Sequence, residues 1–124
     1  MTEIINPTSS SSPGSRAQGE AMWQRVLTTP APPITDDFLA QTCDHVFGEV
    51  WGRAGLGTRE RRLITLTCIA LLGAQVPLEN HLKAALASGD LTADELVEVA
   101  IHLAHYGGWP AGSVFYSALG AARA

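Results

Sequence analysis

From Thr58 to Ala74 the chain reads TRERRLITLTCIALLGA. Four charged side chains crowd its start (Arg59, Glu60, Arg61, Arg62), and after Arg62 almost nothing polar interrupts the run. A helix on a protein surface keeps a polar stripe, whereas one that is apolar nearly all round belongs in an interior. The segment therefore predicts a central buried helix with Thr58 as its N-cap. The longest charge-free apolar run, Leu63–Leu78, falls short of the roughly 18 residues that suggest a membrane span.

Helix signals continue on both sides. Pro77 marks a break or a new first turn, and LENHLKAALASG forms a helix closed by Gly89. Thr92-Ala93-Asp94-Glu95 has the capping-box pattern, with Thr92 at the N-cap and Glu95 three residues on. That helix continues to about Tyr106 and stops at Gly107-Gly108, and Pro110 is well placed to open a last helix ending near Ala122. Upstream, Ala17–Leu27 predicts a short amphipathic helix, followed by the extended linker Thr28-Thr29-Pro30-Ala31-Pro32-Pro33. Thr35 offers a cap for a helix to about Trp51, with Asp36 and Asp37 in its favourable first turn and Phe38, Leu39, Val46, Phe47 and Val50 as apolar contributors. No strand-like alternation and no fixed-period repeat occurs, so the expected fold is an all-α domain of five or six helices, over residues 17–124.

Composition bounds the function. The chain has 124 residues, which suits one domain, and its net charge of −4 argues against nucleic acid as a partner. Charged residues are 16% of the chain, against roughly 25% in average soluble domains, which fits apolar surface hidden between subunits. Two cysteines, Cys43 and Cys68, make neither a disulfide framework nor a CxxC pair, and suit a reduced cytoplasmic compartment. Residues 1–16 are Ser/Pro/Gly-rich and predict a disordered arm, with no apolar core of a signal peptide.

Several side chains could carry chemistry. His81 reads either as a histidine hydrogen-bonded to a neighbouring helix or as a general acid–base group. Glu95, Glu98, His102 and His105 share one broad helix face; they form a solvated face with a Glu98–His102 pair, or His102 enters a pocket with Glu98 fixing its tautomer. A metal held by His81, His102 and His105 is disfavoured, because an HxxH pair is weak and no carboxylate stands at a ligand spacing. Arg53, Arg59, Arg61 and Arg62 are half of the basic residues within ten positions. Their crowding at a helix start calls for compensation, by Glu49 and Glu60 or by an anionic ligand. Tyr106-Gly107-Gly108-Trp109-Pro110 makes an aromatic corner that could wall an apolar pocket.

From about Phe47 to Ala118 the chain resembles the carboxymuconolactone decarboxylase family of the AhpD-like all-α superfamily. The carriers are GEVWGRAGL (Gly48–Leu56), RRLITL (Arg61–Leu66), HLKAAL (His81–Leu86) with Gly89, ELVE (Glu95–Glu98) and YGGWPA (Tyr106–Ala111). The first of these is most like the decarboxylase branch. In the superfamily's hydroperoxide-reducing branch a CxxC pair would fall at Ala74 and Pro77 and a relay glutamate at Arg62, so thiol peroxidase chemistry is disfavoured. The resemblance implies a cofactor-independent lyase of aromatic-acid degradation, acting on γ-carboxymuconolactone or a related small anionic lactone or unsaturated acid. It implies Arg53 and Arg61 as carboxylate anchors, His81 as the proton-transfer group, Glu49 as an orienting or assisting group, and Tyr106 and Trp109 as pocket walls. His102 is a second proton-transfer candidate. It also implies trimers or hexamers with active sites near subunit boundaries. Arg62 and the proline-rich N-terminal region depart from the branch's pattern. Other proton-transfer chemistry on the same fold, or a non-catalytic binding module, are the alternative functions.

Overall fold

The computed structural model describes residues 13–124, which are helical wherever they are regular. Most of the expected N-terminal arm lies outside the described residues. The chain divides at Gly55 into two compact units.

The N-terminal unit begins with α1 (Pro13–Leu27), whose first turn starts ahead of the expected Ala17. It ends at Thr28, in the left-handed region at φ 58°, before the extended proline-rich linker. The next helix has an unforeseen character. A short α2 (Asp37–Ala40) runs into ten residues of π-helix, Gln41–Val50, which nothing in the local sequence explains. The cap is Asp36 rather than Thr35: its carboxylate accepts the Leu39 N–H at 2.9 Å. The expected apolar contributors divide, since Phe47 is buried while Phe38 stays 80% exposed.

This helix packs on α1. The crossing is close, because a Cβ on Gly19 would stand 2.1 Å from the Cys43 carbonyl oxygen; only glycine fits. Beside it the Trp23 and Phe47 rings lie 4.9 Å apart and Phe47 and Trp51 stack at 6.5 Å, around buried Val26. Arg16 on α1 donates from Nε and Nη2 to both carboxylate oxygens of Asp44, at 2.6 and 3.0 Å. Asp44 is fully buried, so this paired fork supplies the partner a desolvated carboxylate needs.

The C-terminal unit holds α3 (Thr58–Leu72), α4 (Gln75–Ser88), α5 (Ala93–Gly107) and α6 (Trp109–Arg123). Gly57, not Thr58, is the N-cap of α3, and no side chain caps it. Gly89 turns left-handed at φ 78° to end α4, and Thr92 and Glu95 complete the capping box that starts α5. Helical spacing then builds one aliphatic core: Leu66 and Ala70 of α3; Leu78, Leu82 and Ala85 of α4; Leu96, Ala100 and Leu103 of α5; Phe115, Ala118 and Leu119 of α6. Each fully buried leucine or phenylalanine contributes roughly 1.5–3 kcal/mol of transfer free energy.

The expected burial of α3 on all faces is corrected. Only Arg62, Leu66 and Ala70 of this helix are buried, while Ile64, Leu71 and Leu72 reach solvent. Its apolar residues wrap the whole helix, whereas α4, α5 and α6 pack against only part of its circumference. No described helix is long and apolar enough to cross a membrane.

Candidate active site

The arginine-rich start of α3 is where the C-terminal unit concentrates charge. Arg62 heads the buried stripe that continues through Leu66 and Ala70, and only 1% of it is exposed. A guanidinium cannot shed its charge, so burial demands an anion. Asp90, in the turn between α4 and α5, provides it: Arg62 Nε donates to Asp90 Oδ2 at 2.8 Å. The carboxylate is itself fixed, because the Asp90 N–H donates to Ser88 Oγ and the Asp90 carbonyl accepts from Arg59 Nε at 3.2 Å. Arg59 also reaches Glu95 Oε2 at 2.5 Å. Glu95 is thereby held below the usual carboxylate range, first by the Thr92 N–H and then by Arg59. The compensation expected for the arginine cluster was Glu49 and Glu60 or an anionic ligand; for Arg62 and Arg59 the structure gives Asp90 and Glu95, which lie 28 and 36 residues away in sequence.

His81 sits on α4 between the core residues Leu78 and Leu82, and is half-buried. Burial, and then the positive field of Arg62, push its pKa down to about 4. The ring is therefore uncharged at neutral pH. A neutral imidazole offers one N–H donor and one basic nitrogen, the pair of functions that proton-transfer chemistry uses. Of the other expected cations Arg61 is half-buried on α3.

A groove of about 820 Å³ runs along α3 and α5. Leu63, Thr67 and Leu71 line one side, and Glu98, Ile101, His102, His105 and Tyr106 the other. His102 and Tyr106 stack almost in parallel, 4.8 Å apart with 10° between their planes. The expected Glu98–His102 pair does not form among the described residues; the imidazole lies on the phenol ring instead, one turn on. His105 shares its Nδ1 with the Ile101 carbonyl at 2.7 Å and meets Trp109 edge-on at 5.9 Å. Trp109 also walls a smaller groove of about 330 Å³ with Tyr116 and Ser113. His81 is not among the residues lining either groove. The expected site residues of this unit are thus in two groups, His81 with the charged end of α3 and His102 with Tyr106 in the groove.

Two further candidates belong to the N-terminal unit. Glu49 Oε1 lies 2.6 Å from His45 Nδ1, a neighbour that sequence reasoning did not single out although their i, i+4 spacing was visible. Arg53 is exposed in the turn after the π-helix, its N–H donating to the Val50 carbonyl at 3.2 Å. No three of the described His, Cys, Asp and Glu side chains gather as a metal-ligand set. Cys43 is buried, with its thiol pushed up by that burial, and Cys68 is exposed; neither is in a disulfide.

Comparison with known proteins follows the same segments. Residues 36–124 match the carboxymuconolactone decarboxylase family. Over 78 residues the chain is 40% identical to the 4-carboxymuconolactone decarboxylase of Acinetobacter baylyi, a stretch that covers 63% of this chain and 58% of that protein.

Proposed function

Since the chain belongs to the carboxymuconolactone decarboxylase family, we propose that it is a cofactor-independent decarboxylase for γ-carboxymuconolactone or a related small anionic lactone or unsaturated acid. The observation that carries this reading is the match of residues 36–124 to the family, with His81 half-buried on α4 between core leucines. The reaction breaks the bond between carbon and carboxylate. CO₂ leaves, the bonding pair spreads onto the lactone carbonyl as a dienolate, and a proton is delivered to carbon.

His81 serves both late steps. Its N–H donates to the developing dienolate oxygen. A bound carboxylate cancels the repulsion from Arg62 and makes the protonated ring easier to form, so the ring takes up a proton with the substrate and passes it to carbon. Arg53 and Arg61 anchor the carboxylates, the role that the family resemblance implies for them. Glu49, hydrogen-bonded to His45, orients or assists. Tyr106 and Trp109 shape apolar walls, and His102 is the second proton-transfer candidate.

Release of CO₂ from freshly generated γ-carboxymuconolactone tests the assignment. Wild type turns the lactone over, while Arg53→Ala and Arg61→Ala each raise KM roughly 10- to 100-fold, the equivalent of one charge-assisted hydrogen bond. Absence of turnover by wild type rejects the substrate. The reading includes a homo-oligomer, a trimer or hexamer, supported by exposed Ile64, Leu71, Leu72, Val76 and Ile101. A light-scattering mass equal to one subunit at micromolar concentration overturns that part.

A further inference from the structure

We propose that the face formed by α3, α5 and α6 is the surface on which a second copy of this chain docks, with Ile101 at its centre. The proposal rests on the reading of the protein as a homo-oligomer, and adds to it the place where copies meet and what they cover.

The face is continuous. Ile101 on α5 lines the groove of about 820 Å³ on its α3 side and the groove of about 330 Å³ on its α6 side. Leu71 and Tyr106 line the first groove with it, and Trp109 and Tyr116 the second. Ile64 lies two turns before Leu71 on the same stripe of α3. These six residues are between 49% and 85% exposed in the single chain. Together they leave roughly 700 Å² of apolar surface in water. The largest patch on a typical monomer is about 300–600 Å², and a standard interface covers about 800 Å² per partner. The area is thus that of a stable contact rather than of an ordinary surface.

Covering it costs few polar groups. The Thr67 hydroxyl already has the Leu63 and Ile64 carbonyls as acceptors, at 3.0 and 2.8 Å, and His105 Nδ1 is engaged with the Ile101 carbonyl. The His102 ring lies flat on Tyr106. On the α6 side the floor is built of small residues: a Cβ on Gly112 would stand 2.5 Å from that of Ala104, so α5 and α6 meet closely beneath Trp109 and Tyr116. Charge selects the occupant. The chain has a net charge of −4, so two copies repel wherever acidic surfaces approach each other. Among the described residues lining the two grooves Glu98 is the one acidic side chain, and no lysine or arginine occurs. A strongly basic or acidic partner meets no complementary field there. A second copy buries the same apolar area on both sides with little repulsion, and exposed Tyr and Trp are the residues that anchor such contacts. Docking also covers the flank of α3 that the single chain leaves in water, and encloses the His102–Tyr106 stack between copies.

Light scattering of the intact chain at micromolar concentration is the test. Ile101→Asp on α5 and Tyr116→Asp on α6 each set a carboxylate into the face at a residue that already reaches solvent. Each lowers the wild-type mass roughly twofold or more, and removes the rise of melting temperature with protein concentration that an assembled wild type shows. Phe38→Asp makes the same kind of change at a residue 80% exposed in the N-terminal unit, and keeps the wild-type mass. Circular dichroism separates lost assembly from lost helix; should one aspartate variant on the face fail to fold, the other reads the same contact. A wild type that assembles, with a mass unchanged in whichever of these two variants folds, overturns the proposal and leaves the oligomer to another surface. A wild type with the mass of one subunit overturns both. Neither result involves the lactone, so the substrate assignment is tested apart from them.

Discussion

Among the described residues each unit of the chain contains a buried arginine–aspartate pair, and the two pairs are built in opposite senses. In the N-terminal unit the acid is the buried partner: Asp44 is 0% exposed and Arg16 27%. In the C-terminal unit the base is buried, Arg62 at 1% against 18% for Asp90. A buried ion pair costs much of what it returns, and its strongest signature is the penalty for leaving one charge behind without its mate. The N-terminal pair therefore guards a carboxylate and fastens α1 to the π-helical segment. The C-terminal pair guards a cation, and the titratable group in its field is a histidine. One arrangement fastens two helices; the other holds a cation whose charge, after burial, lowers the pKa of a candidate catalytic side chain.

The largest expected effect breaks this contrast directly. Asp90→Ala removes a carboxylate partner from the buried Arg62 guanidinium and destabilises the C-terminal unit by about 3–5 kcal/mol. Arg62→Met costs less, since water reaches the Asp90 left behind and the thioether stem fills the vacated space. The order reverses in the N-terminal unit, where Arg16→Met is worse than Asp44→Asn. Denaturant midpoints of the four variants check the pattern, and equal effects within each pair contradict it.

Acid comes next. His81 titrates at about 4 in the folded chain and near 6.5 when unfolded, so on acidification the unfolded state takes up its proton first. Stability from this group is complete above pH ~6.5 and is lost as pH falls toward 4, in total about 3 kcal/mol. His81→Gln removes that slope between pH 7 and 5. Glu95 titrates below the usual carboxylate range, so its loss falls at lower pH and is separable.

A third comparison uses glycine. Gly19→Ala drives a methyl into the Cys43 carbonyl and destabilises the N-terminal unit by roughly 1–3 kcal/mol. Gly120→Ala on α6 meets nothing within 4 Å and stabilises the C-terminal unit by up to about 1 kcal/mol, through helix propensity. Smallest in extent, and local, is Thr92→Ala, which removes one half of the capping box for about 1 kcal/mol. Thermal melts resolve all three.

Local chemistry was readable in the chain. The capping box of Thr92 and Glu95, the stop at Gly89 and the prolines near 77 and 110 located α4 to α6 within a few residues, because those signals act within one turn. The π-helical stretch was not, since the spacing of Leu39, Val46, Phe47 and Val50 is that of an ordinary α-helix. The exposed flank of α3 was misread for a different reason: an apolar surface announces that it will be covered, but not by what. His81 was identifiable as a residue, whereas its state was not. That depends on burial first and then on Arg62, which Asp90 meets across 28 residues of sequence.

The claim that His81 carries the proton-transfer step is tested most directly by one rate ratio: lactone-dependent CO₂ release at pH 7 by wild type against His81→Gln. General acid–base catalysis contributes typically 10²- to 10⁴-fold, and the ratio is expected in that range. A glutamine variant that is folded and as fast as wild type contradicts it.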